Sequence, residues 1–300
     1  MLTFLPEPVR GVLASILVII NTLFWCLPLY VFAFLRFVGP AAAAPWCTRG
    51  AMNMAELWID CNNLLLGLFT KLEIEVIGGG NLSPTNWYLI FCNHQTWADI
   101  VILQRVFNRK IPMQKFFIKQ QLIYVPIIGI AWWALDFPIM QRYSKEFLHK
   151  HPELKGKDLE ATRRSCEKFK LTPVSILNFL EGTRYTSAKH ASQQSPYKNL
   201  LKPKGGGAAL VINALGDKLD CILNVTLYYP DGVPGFFEFL CGHTKRVTVV
   251  IEPLAVPVDT DQDQSEAGIT LKKDFRHWVN GIWEAKDQQL ERLQIRPPGH

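Results

Sequence analysis

A histidine and an aspartate five residues apart, His94 and Asp99, have the types and spacing that catalysis most often uses. They follow an apolar run, residues 87–92, with the length of a buried strand, and they precede a helix-like run, residues 100–107. Residues five apart on one helix point about 140° away from each other. A contact therefore requires His94 on the loop and Asp99 in the first helical turn. A histidine held by a carboxylate is a general base that can activate an alcohol. The alternative is a helix cap without a catalytic role.

A second polar motif, Glu181-Gly182-Thr183-Arg184, also follows an apolar run of strand length, residues 174–180. In a parallel sheet both motifs then end at the same edge, where active sites of α/β proteins gather. The glycine permits a tight turn that presents the guanidinium of Arg184, which binds phosphate oxygens bidentately. The alternative is a local ion pair between Glu181 and Arg184 that binds no ligand.

Two further stretches are weaker signals. The first contains Lys119, Pro126 and Gly129, and Arg142 follows it. This pattern is also typical of a surface lysine near an ordinary Pro/Gly turn. The stretch Lys202-Pro203-Lys204-Gly205-Gly206-Gly207 has backbone N–H groups that could hold an anion. It lacks the spacing of a phosphate-binding loop.

The elements that would position these motifs alternate between strands and helices, which predicts an α/β domain with a mainly parallel sheet flanked by helices. Residues 78–80 predict a glycine turn, and residues 185–204 a polar loop. The remaining patterns predict strands at 72–76, 116–118, 135–140, 221–229 and 247–251, and helices at 51–70, 157–170, 208–215 and 269–293.

The N-terminal run of residues 12–38 has few polar members, chiefly Asn21, Thr22 and Arg36. As one helix it would extend about 40 Å, more than the ~30 Å of a bilayer's hydrocarbon core. It is too long for a signal peptide. Pro28 leaves open a spanning helix or a half-embedded hairpin, and a buried core helix is the third alternative. We expect residues 1–70 to be a membrane-associated helical segment and residues 71–300 the α/β domain.

The composition suits a membrane-associated protein. The chain is 49% hydrophobic with a net charge of +6, a balance that fits an anionic membrane surface or substrate better than nucleic acid. Seven cysteines stand singly, without C-x-x-C spacing. This predicts reduced thiols and neither a metal site nor a disulfide framework.

The motifs H-x-x-x-x-D, K-x-x-L-x-x-x-P-x-x-G and E-G-T-R occur in this order, before an N-V-T-L-Y-Y-P strand at 224–230. This ordered set, over about residues 72–230, resembles the glycerolipid acyltransferases of the lysophosphatidic acid acyltransferase family. The run N-H-Q-T-W-A-D and the extended E-G-T-R-Y-T followed by Lys189 resemble the lysocardiolipin-acyltransferase-type branch, which includes a bacterial inner-membrane member. Two positions depart from the commonest pattern. Leu180 stands where a proline usually precedes E-G-T-R, and Val225-Thr226 replaces Val-Pro.

The resemblance implies transfer of a fatty acyl group from acyl-CoA or acyl carrier protein to the sn-2 hydroxyl of a lysophospholipid, with 1-acyl-glycerol-3-phosphate giving phosphatidic acid. It implies His94 as the general base and Asp99 as the residue that orients it. Glu181, Gly182, Thr183 and Arg184 would form the acceptor site, with Arg184 on the phosphate. Lys119 and Arg142 would be further phosphate or donor contacts.

The resemblance also implies membrane lipids as partners, no cofactor beyond the thioester co-substrate, and a bacterial inner membrane with the catalytic domain facing the cytoplasm. A lysocardiolipin or lyso-phosphatidylglycerol acceptor is the first alternative. The rivals outside this class are a thioesterase or lipid hydrolase, and a non-enzymatic membrane protein. The sequence has no G-x-S-x-G nucleophile elbow, which favours direct acyl transfer over a serine hydrolase.

Overall fold

The computed structural model describes residues 2–140, 167–257 and 273–295. Its N-terminal part is a pair of packed helices, α1 (Glu7–Val38) and α2 (Ala44–Phe69), joined through a 3₁₀ turn at Ala41–Ala43. Asn21 and Thr22, polar residues inside the apolar run of α1, form hydrogen bonds across this pair. Asn21 donates to the Asn62 side chain (2.9 Å), and the Trp58 indole donates to the Thr22 hydroxyl (3.1 Å). In an apolar environment such pairing removes the cost of unsatisfied polar groups.

Helix α1 continues through Pro28 without a break. The alternative of a hairpin broken at that proline is therefore wrong, and the turn between helices lies at residues 39–43 instead. Within the described residues, α1 is the one helix long and apolar enough to cross a membrane, and only 17% of its most apolar window is buried. A buried core helix would have most of its surface covered, so the alternative of a buried core helix does not fit α1. The division of the chain at residue 70 stays a prediction.

The α/β part confirms the predicted fold class. Within the described ranges its main sheet has six strands in the spatial order β1-β8-β7-β2-β6-β3, and only the β7–β8 pair is antiparallel. A separate pair, β4 and β5, runs parallel. The strands are β1 (Glu73–Gly78), β2 (Tyr88–Cys92), β3 (Gln114–Phe116), β4 (Ile118–Lys119), β5 (Ile139–Met140), β6 (Ser175–Phe179), β7 (Cys221–Tyr228) and β8 (Arg246–Leu254).

Helices cover both faces of this sheet, and two apolar clusters result. One cluster joins the sheet to the helix after β2 and to parts of the N-terminal pair. The other joins it to the helices Gly206–Leu215 and Lys273–Ile295. Strand β2 lies between them and is buried throughout. The helices of this part are α3 (Ala98–Phe107), α4 (Ile128–Ala134), α5 (Ser187–Gln193), α6 (Gly206–Leu215), α7 (Phe236–Leu240) and α8 (Lys273–Ile295).

The differences from the predicted elements are concentrated in short segments. The expected strand at 116–118 is two strands, β3 and β4, and the expected strand at 135–140 is only β5. Helices α4, α5 and α7 were not predicted, because five to seven residues are too few for a helical period to stand out. Helix α5 lies inside the expected polar loop, where the Thr186 hydroxyl caps it by accepting from the Lys189 backbone N–H. Most of the predicted helix 157–170 lies outside the described residues.

The glycine turn is confirmed: Gly78, Gly79 and Gly80 all have positive φ angles. Strand β1 is one of the two outer strands of the sheet, and its Val76 is exposed, so the expected half-buried alternation is weaker than the sequence suggests. An edge strand has one unpaired side, and its side chains are covered less completely.

Candidate active site

Three strands bring the functional candidates to one edge of the sheet. Strands β6 and β7 both run parallel to β2, so their carboxyl ends meet there. His94 follows β2, Glu181 follows β6, and Tyr229 follows β7. Asn93 ties the edge together, since its side chain donates to the Leu227 carbonyl (2.9 Å) and accepts from the Leu227 N–H (2.8 Å). Strand pairing therefore fixes the backbone positions from which these side chains project.

His94 and Asp99 meet as the spacing requires. His94 lies on the loop, Asp99 lies at the second position of α3, and Nδ1 of His94 is 2.9 Å from Oδ2 of Asp99. An ionised carboxylate can only accept, so Nδ1 carries the proton and the other ring nitrogen, Nε2, has a free lone pair. Within the described residues no hydrogen bond uses Nε2.

Asp99 is fully buried and accepts four hydrogen bonds. Besides the imidazole, Oδ2 accepts from the backbone N–H groups of Gln95 (2.6 Å) and Thr96 (3.0 Å), and Oδ1 accepts from the Tyr229 hydroxyl (2.7 Å). Burial raises the pKa of Tyr229 well above its usual range, so this hydroxyl stays a donor. A carboxylate with all its oxygens occupied cannot rotate, and the imidazole that it holds is fixed in direction.

The ring of His94 is also held by stacking. It lies on the ring of Phe179, the last residue of β6, with 3.9 Å between centroids and 15° between planes. The side chain remains 13% exposed, so the imidazole is reachable from outside while most of its surface is covered. Orientation on one side and access on the other are what a general base needs.

Glu181 lies buried beneath the His94 loop. Its side chain is fully buried, and its two oxygens accept from the backbone N–H groups of His94 (2.8 Å) and Leu201 (3.0 Å). No ion pair with Arg184 forms within the described structure. Both carboxylate oxygens are thus used below the surface, and the hydrogen bond to the His94 N–H ties Glu181 to the His94 loop. That Glu181 contacts the acceptor stays a prediction.

Burial raises the pKa of Glu181 to about 7, although the two backbone donors act against that rise. Because the ordinary value is 4.5, the folded protein keeps a proton that the unfolded chain has already lost between these two pH values. Stability from this group is therefore lost as pH rises from about 4.5 to about 7.

Glu181→Gln should remove this pH dependence. Relative to the variant, the wild type should lose up to about 3 kcal/mol of unfolding free energy between pH 4.5 and pH 7. Chemical denaturation of both proteins in detergent micelles, repeated across this pH range, measures the difference. A difference that does not change with pH would mean that the Glu181 carboxyl has an ordinary pKa.

Arg184 lies on the other side of the same turn. Gly182 has a φ of +67°, which reverses the chain between Glu181 and Arg184, and the guanidinium emerges over the ring of Trp97 at 4.9 Å from its centroid. Lys189 fixes the turn by donating to the Thr183 hydroxyl (2.8 Å) and to the Arg184 carbonyl (2.9 Å). The exposed cation is thus held by its backbone and by an aromatic face.

The turn is attached directly to the histidine loop. The Tyr185 N–H donates to the His94 carbonyl (2.7 Å), next to the bond from the His94 N–H to Glu181. The structure therefore brings together His94, Asp99 and the whole 181–184 turn, with Gly182 and Thr183 serving its shape.

The structure does not bring Lys119 into this group. Lys119 is exposed at the end of β4, in the separate two-stranded sheet, and no described contact joins it to His94. Arg142 lies outside the described residues. The Lys202–Gly207 stretch lines a cleft of about 410 Å³ together with Arg276 of α8. Its Lys204 N–H donates to the Leu180 carbonyl (2.6 Å), so this cleft adjoins the back of the turn.

Sequence reasoning missed Tyr229 and Lys286. Lys286 of α8 is buried beneath the site, where its ammonium donates to the Val225 carbonyl and to the Thr226 hydroxyl (3.1 Å). Burial lowers its pKa to about 8. A lysine inside the apolar stripe of α8 was the available signal, since Val279, Trp283 and Leu290 share that stripe. Thr226, which stands where the commonest pattern has proline, thus has Lys286 as its hydrogen-bond partner.

A covalent mechanism finds no support in the nearby thiol. Cys92 ends β2, and burial raises its pKa well above the usual range. A thiol that stays protonated is a poor nucleophile. Among the described residues no cluster of three His, Cys, Asp or Glu side chains could hold a metal ion; that no metal is used stays a prediction.

Comparison with known proteins shows similarity to acyltransferases. A family model described as Acyltransferase matches residues 73–230. Lysocardiolipin acyltransferase 1 of Gallus gallus is 24% identical over 86% of this chain and 66% of its own length. A probable 1-acyl-sn-glycerol-3-phosphate acyltransferase of Arabidopsis thaliana is 26% identical over 74% of this chain and 58% of its own length. The chain spans less than two thirds of the length of these relatives.

One solved structure is similar over nearly the whole chain. The crystal structure of the 1-acyl-sn-glycerophosphate acyltransferase of Thermotoga maritima superposes with a TM-score of 0.52, covering 95% of this chain and 100% of that one. The sequence identity is 17%, so this likeness concerns the fold.

Proposed function

The chain belongs to the acyltransferase family, among the lysophosphatidic acid and lysocardiolipin acyltransferases, and on that premise we propose that it acylates the free sn-2 hydroxyl of a lysophospholipid. The donor is an acyl thioester, acyl-CoA or acyl carrier protein, and the favoured acceptor is 1-acyl-glycerol-3-phosphate, which gives phosphatidic acid. The observation that carries this proposal is the oriented imidazole of His94: Asp99 holds its Nδ1, and no hydrogen bond from the described part of the chain uses its Nε2.

In the proposed reaction Nε2 of His94 takes the proton of the acceptor hydroxyl as that oxygen attacks the thioester carbonyl. The carbon–sulfur bond breaks when the tetrahedral intermediate collapses, and the imidazolium returns its proton to the thiolate. Asp99 stabilises the imidazolium without taking the proton itself. No acyl-enzyme forms, in keeping with the finding that the described residues at this edge include no activated serine or cysteine.

The experiment that tests the function is direct. Purified full-length protein is given labelled acyl-CoA or acyl carrier protein with a panel of lysophospholipids, and the products are identified by mass. We expect a diacyl product that depends on acceptor, with lysophosphatidic acid used best. Free fatty acid released without an acceptor would show a thioesterase instead. A preference for lysocardiolipin or lyso-phosphatidylglycerol would keep the chemistry and change the acceptor.

Arg184 is the residue proposed to bind the acceptor phosphate, because its guanidinium is exposed beside the His94 loop. Arg184→Ala should lower kcat/KM for a phosphomonoester acceptor roughly 10- to 100-fold, since a hydrogen bond to a charged group contributes about 1.5–3 kcal/mol. For an acceptor without that phosphomonoester the loss should be much smaller. Steady-state kinetics with both acceptors measures the two ratios.

Arg246→Ala is the matched control, because Arg246 is a partly exposed arginine that pairs with Asp231 of the protein itself. It should leave both ratios close to those of the wild type. Equal losses for the two acceptors in Arg184→Ala would assign Arg184 a structural role.

The proposed location is a membrane, with α1 as the element in contact with lipid. A lysophospholipid resides in the bilayer, whereas the thioester carriers are anionic and water-soluble. A bacterial inner membrane with the catalytic domain on the cytoplasmic side would bring both to one site. The net charge of +6 suits the anionic surface on that side.

A further inference from the structure

A second apolar surface lies far along the chain from the N-terminal helix. Between Lys119 and Asp136 no residue is charged. Six large apolar side chains of this segment are exposed: Tyr124 79%, Val125 38%, Ile127 38%, Ile128 38%, Ile130 54% and Trp133 56%. We call them, with the backbone of residues 122–133, the second apolar surface. A contiguous exposed patch of this kind marks an interaction site.

The backbone under this surface is built to hold it outward. A 3₁₀ turn, Gln120–Tyr124, leads to Ile127, whose φ of +69° is rare for a β-branched residue, and α4 follows. Gly129 is required there, because a Cβ at this position would lie 1.9 Å from the Ile123 carbonyl oxygen. The K-x-x-L-x-x-x-P-x-x-G motif thus describes a tight, strained turn. Strain that persists in a fold is typical of functional segments.

The second apolar surface is continuous with α1. The Tyr30 hydroxyl donates to the Ile127 carbonyl, and Arg36 forms an ion pair with Asp136 (2.6 Å). Leu29 shares a buried cluster with Ala134. The two elements therefore lie side by side, joined by hydrogen bond, ion pair and apolar contact.

The other end of α1 also touches the α/β part. A Cβ on Gly11 would meet the side chains of Phe237 and Cys241, so the helix is in close contact with α7 there. Between Gly11 and Arg36 the helix extends about 38 Å. The apolar stripe of α1 thus runs along the domain, and a bilayer that covers this stripe also meets α4.

We propose that the second apolar surface is a second bilayer-contacting element, which enters the membrane interface beside α1. This inference rests on the membrane location given above as part of the proposed function. Its occupant is phospholipid and not a protein partner. Three aromatic residues, Tyr124, Trp132 and Trp133, lie in the segment, and such rings favour the level of the lipid headgroups. Exposed Lys119 stands at its start, where an ammonium can reach headgroup phosphates.

A second contact has a consequence for the site. One helix in a bilayer leaves the attached domain free to rotate about the helix axis. A contact off that axis removes this rotation, so the sheet edge with His94 keeps one orientation toward the membrane. The segment thereby acquires a role in presenting the site to an acceptor that stays in the bilayer.

Photo-cross-linking of the full chain tests the proposal. The photoreactive residue p-benzoylphenylalanine is placed in turn at Ile130, at Ile20 on α1 and at Leu171, and the protein is reconstituted in vesicles of phosphatidylcholine and phosphatidylglycerol. Leu171 is a matched control, because it is 86% exposed and apolar but lies outside both surfaces. We expect lipid adducts at Ile130 in a yield similar to that at Ile20 and several times that at Leu171.

Lipid adducts at Ile20 without adducts at Ile130 would overturn the proposal. Cross-links from Ile130 to a second copy of the chain would also overturn it, in favour of a dimer interface. The measurement needs no turnover, so adducts at Ile130 in a protein without acyltransferase activity would reject the proposed function and keep this inference. Thermal unfolding of each labelled protein confirms that it is folded.

Discussion

His94→Ala should lower kcat by roughly 10²–10⁴-fold, the contribution that a positioned general base makes. The structural reason is that Nδ1 is held 2.9 Å from Asp99, while no residue that the structure describes forms a hydrogen bond with Nε2. The alanine also removes the ring that stacks on Phe179. Since the backbone N–H and carbonyl of His94 remain, their bonds to Glu181 and Tyr185 should survive. The measurement is acyl transfer to lysophosphatidic acid at saturating donor and acceptor.

His243→Ala is the matched control. His243 is an exposed histidine that pairs with Glu7 (2.8 Å), on another part of the surface. It should retain activity close to that of the wild type. If His94→Ala were folded and active within a few-fold of the wild type, His94 would not be the base, and the proposed mechanism would fail.

The histidine–aspartate pair could be predicted because it depends on local geometry. A buried strand, a short loop and a helix start follow one another within 20 residues, and the observed β2 and α3 agree with the predicted ranges to within about two residues. The other partners of Asp99 could not be predicted in the same way. Tyr229 is 130 residues away in the sequence, and only the pairing of β7 with β2 brings it near.

The 181–184 turn shows a different limit of sequence reasoning. A motif gives the spacing of Glu181 and Arg184 but not the direction of either side chain. The positive φ of Gly182 sends them to opposite sides of the turn. The glutamate then lies under the His94 loop and the arginine lies outside it. One motif thus combines a residue that contacts the His94 loop with a candidate ligand contact. The spacing in the sequence does not distinguish these two roles.

Two buried ionisable side chains, Glu181 and Lys286, lie under the sheet edge that carries the site. Burial raises the pKa of the Glu181 carboxyl to about 7, and the attraction of the buried Lys286 ammonium opposes that rise. Both groups are hydrogen-bonded to backbone atoms of the strands or loops that carry the site. Removing either would leave a buried polar group without a partner, and this is costly. The loops that hold His94 are therefore anchored from below.

Asp99→Asn should lower kcat by a similar roughly 10²–10⁴-fold, because the amide cannot stabilise the imidazolium. An amide has one accepting oxygen, whereas donors surround both oxygens of Asp99. In either orientation its NH₂ group faces a donor, so the imidazole loses its fixed direction. Kinetics as for His94→Ala gives the size of the loss. Tyr229→Phe serves as the control, because it removes one donor and leaves the contact of Asp99 with His94.

The double variant His94→Ala with Asp99→Asn separates catalysis from folding. If Asp99 acts through the imidazole, its substitution should cost almost nothing further once the imidazole is absent, and the double variant should match His94→Ala. Losses that multiply would mean that Asp99 contributes independently, through the fold of the loop or through another group. Thermal unfolding of all four proteins then decides between these two. A lowered unfolding temperature in every protein with Asn at position 99 would indicate a structural origin, because the amide cannot accept from all the donors that surround the carboxylate.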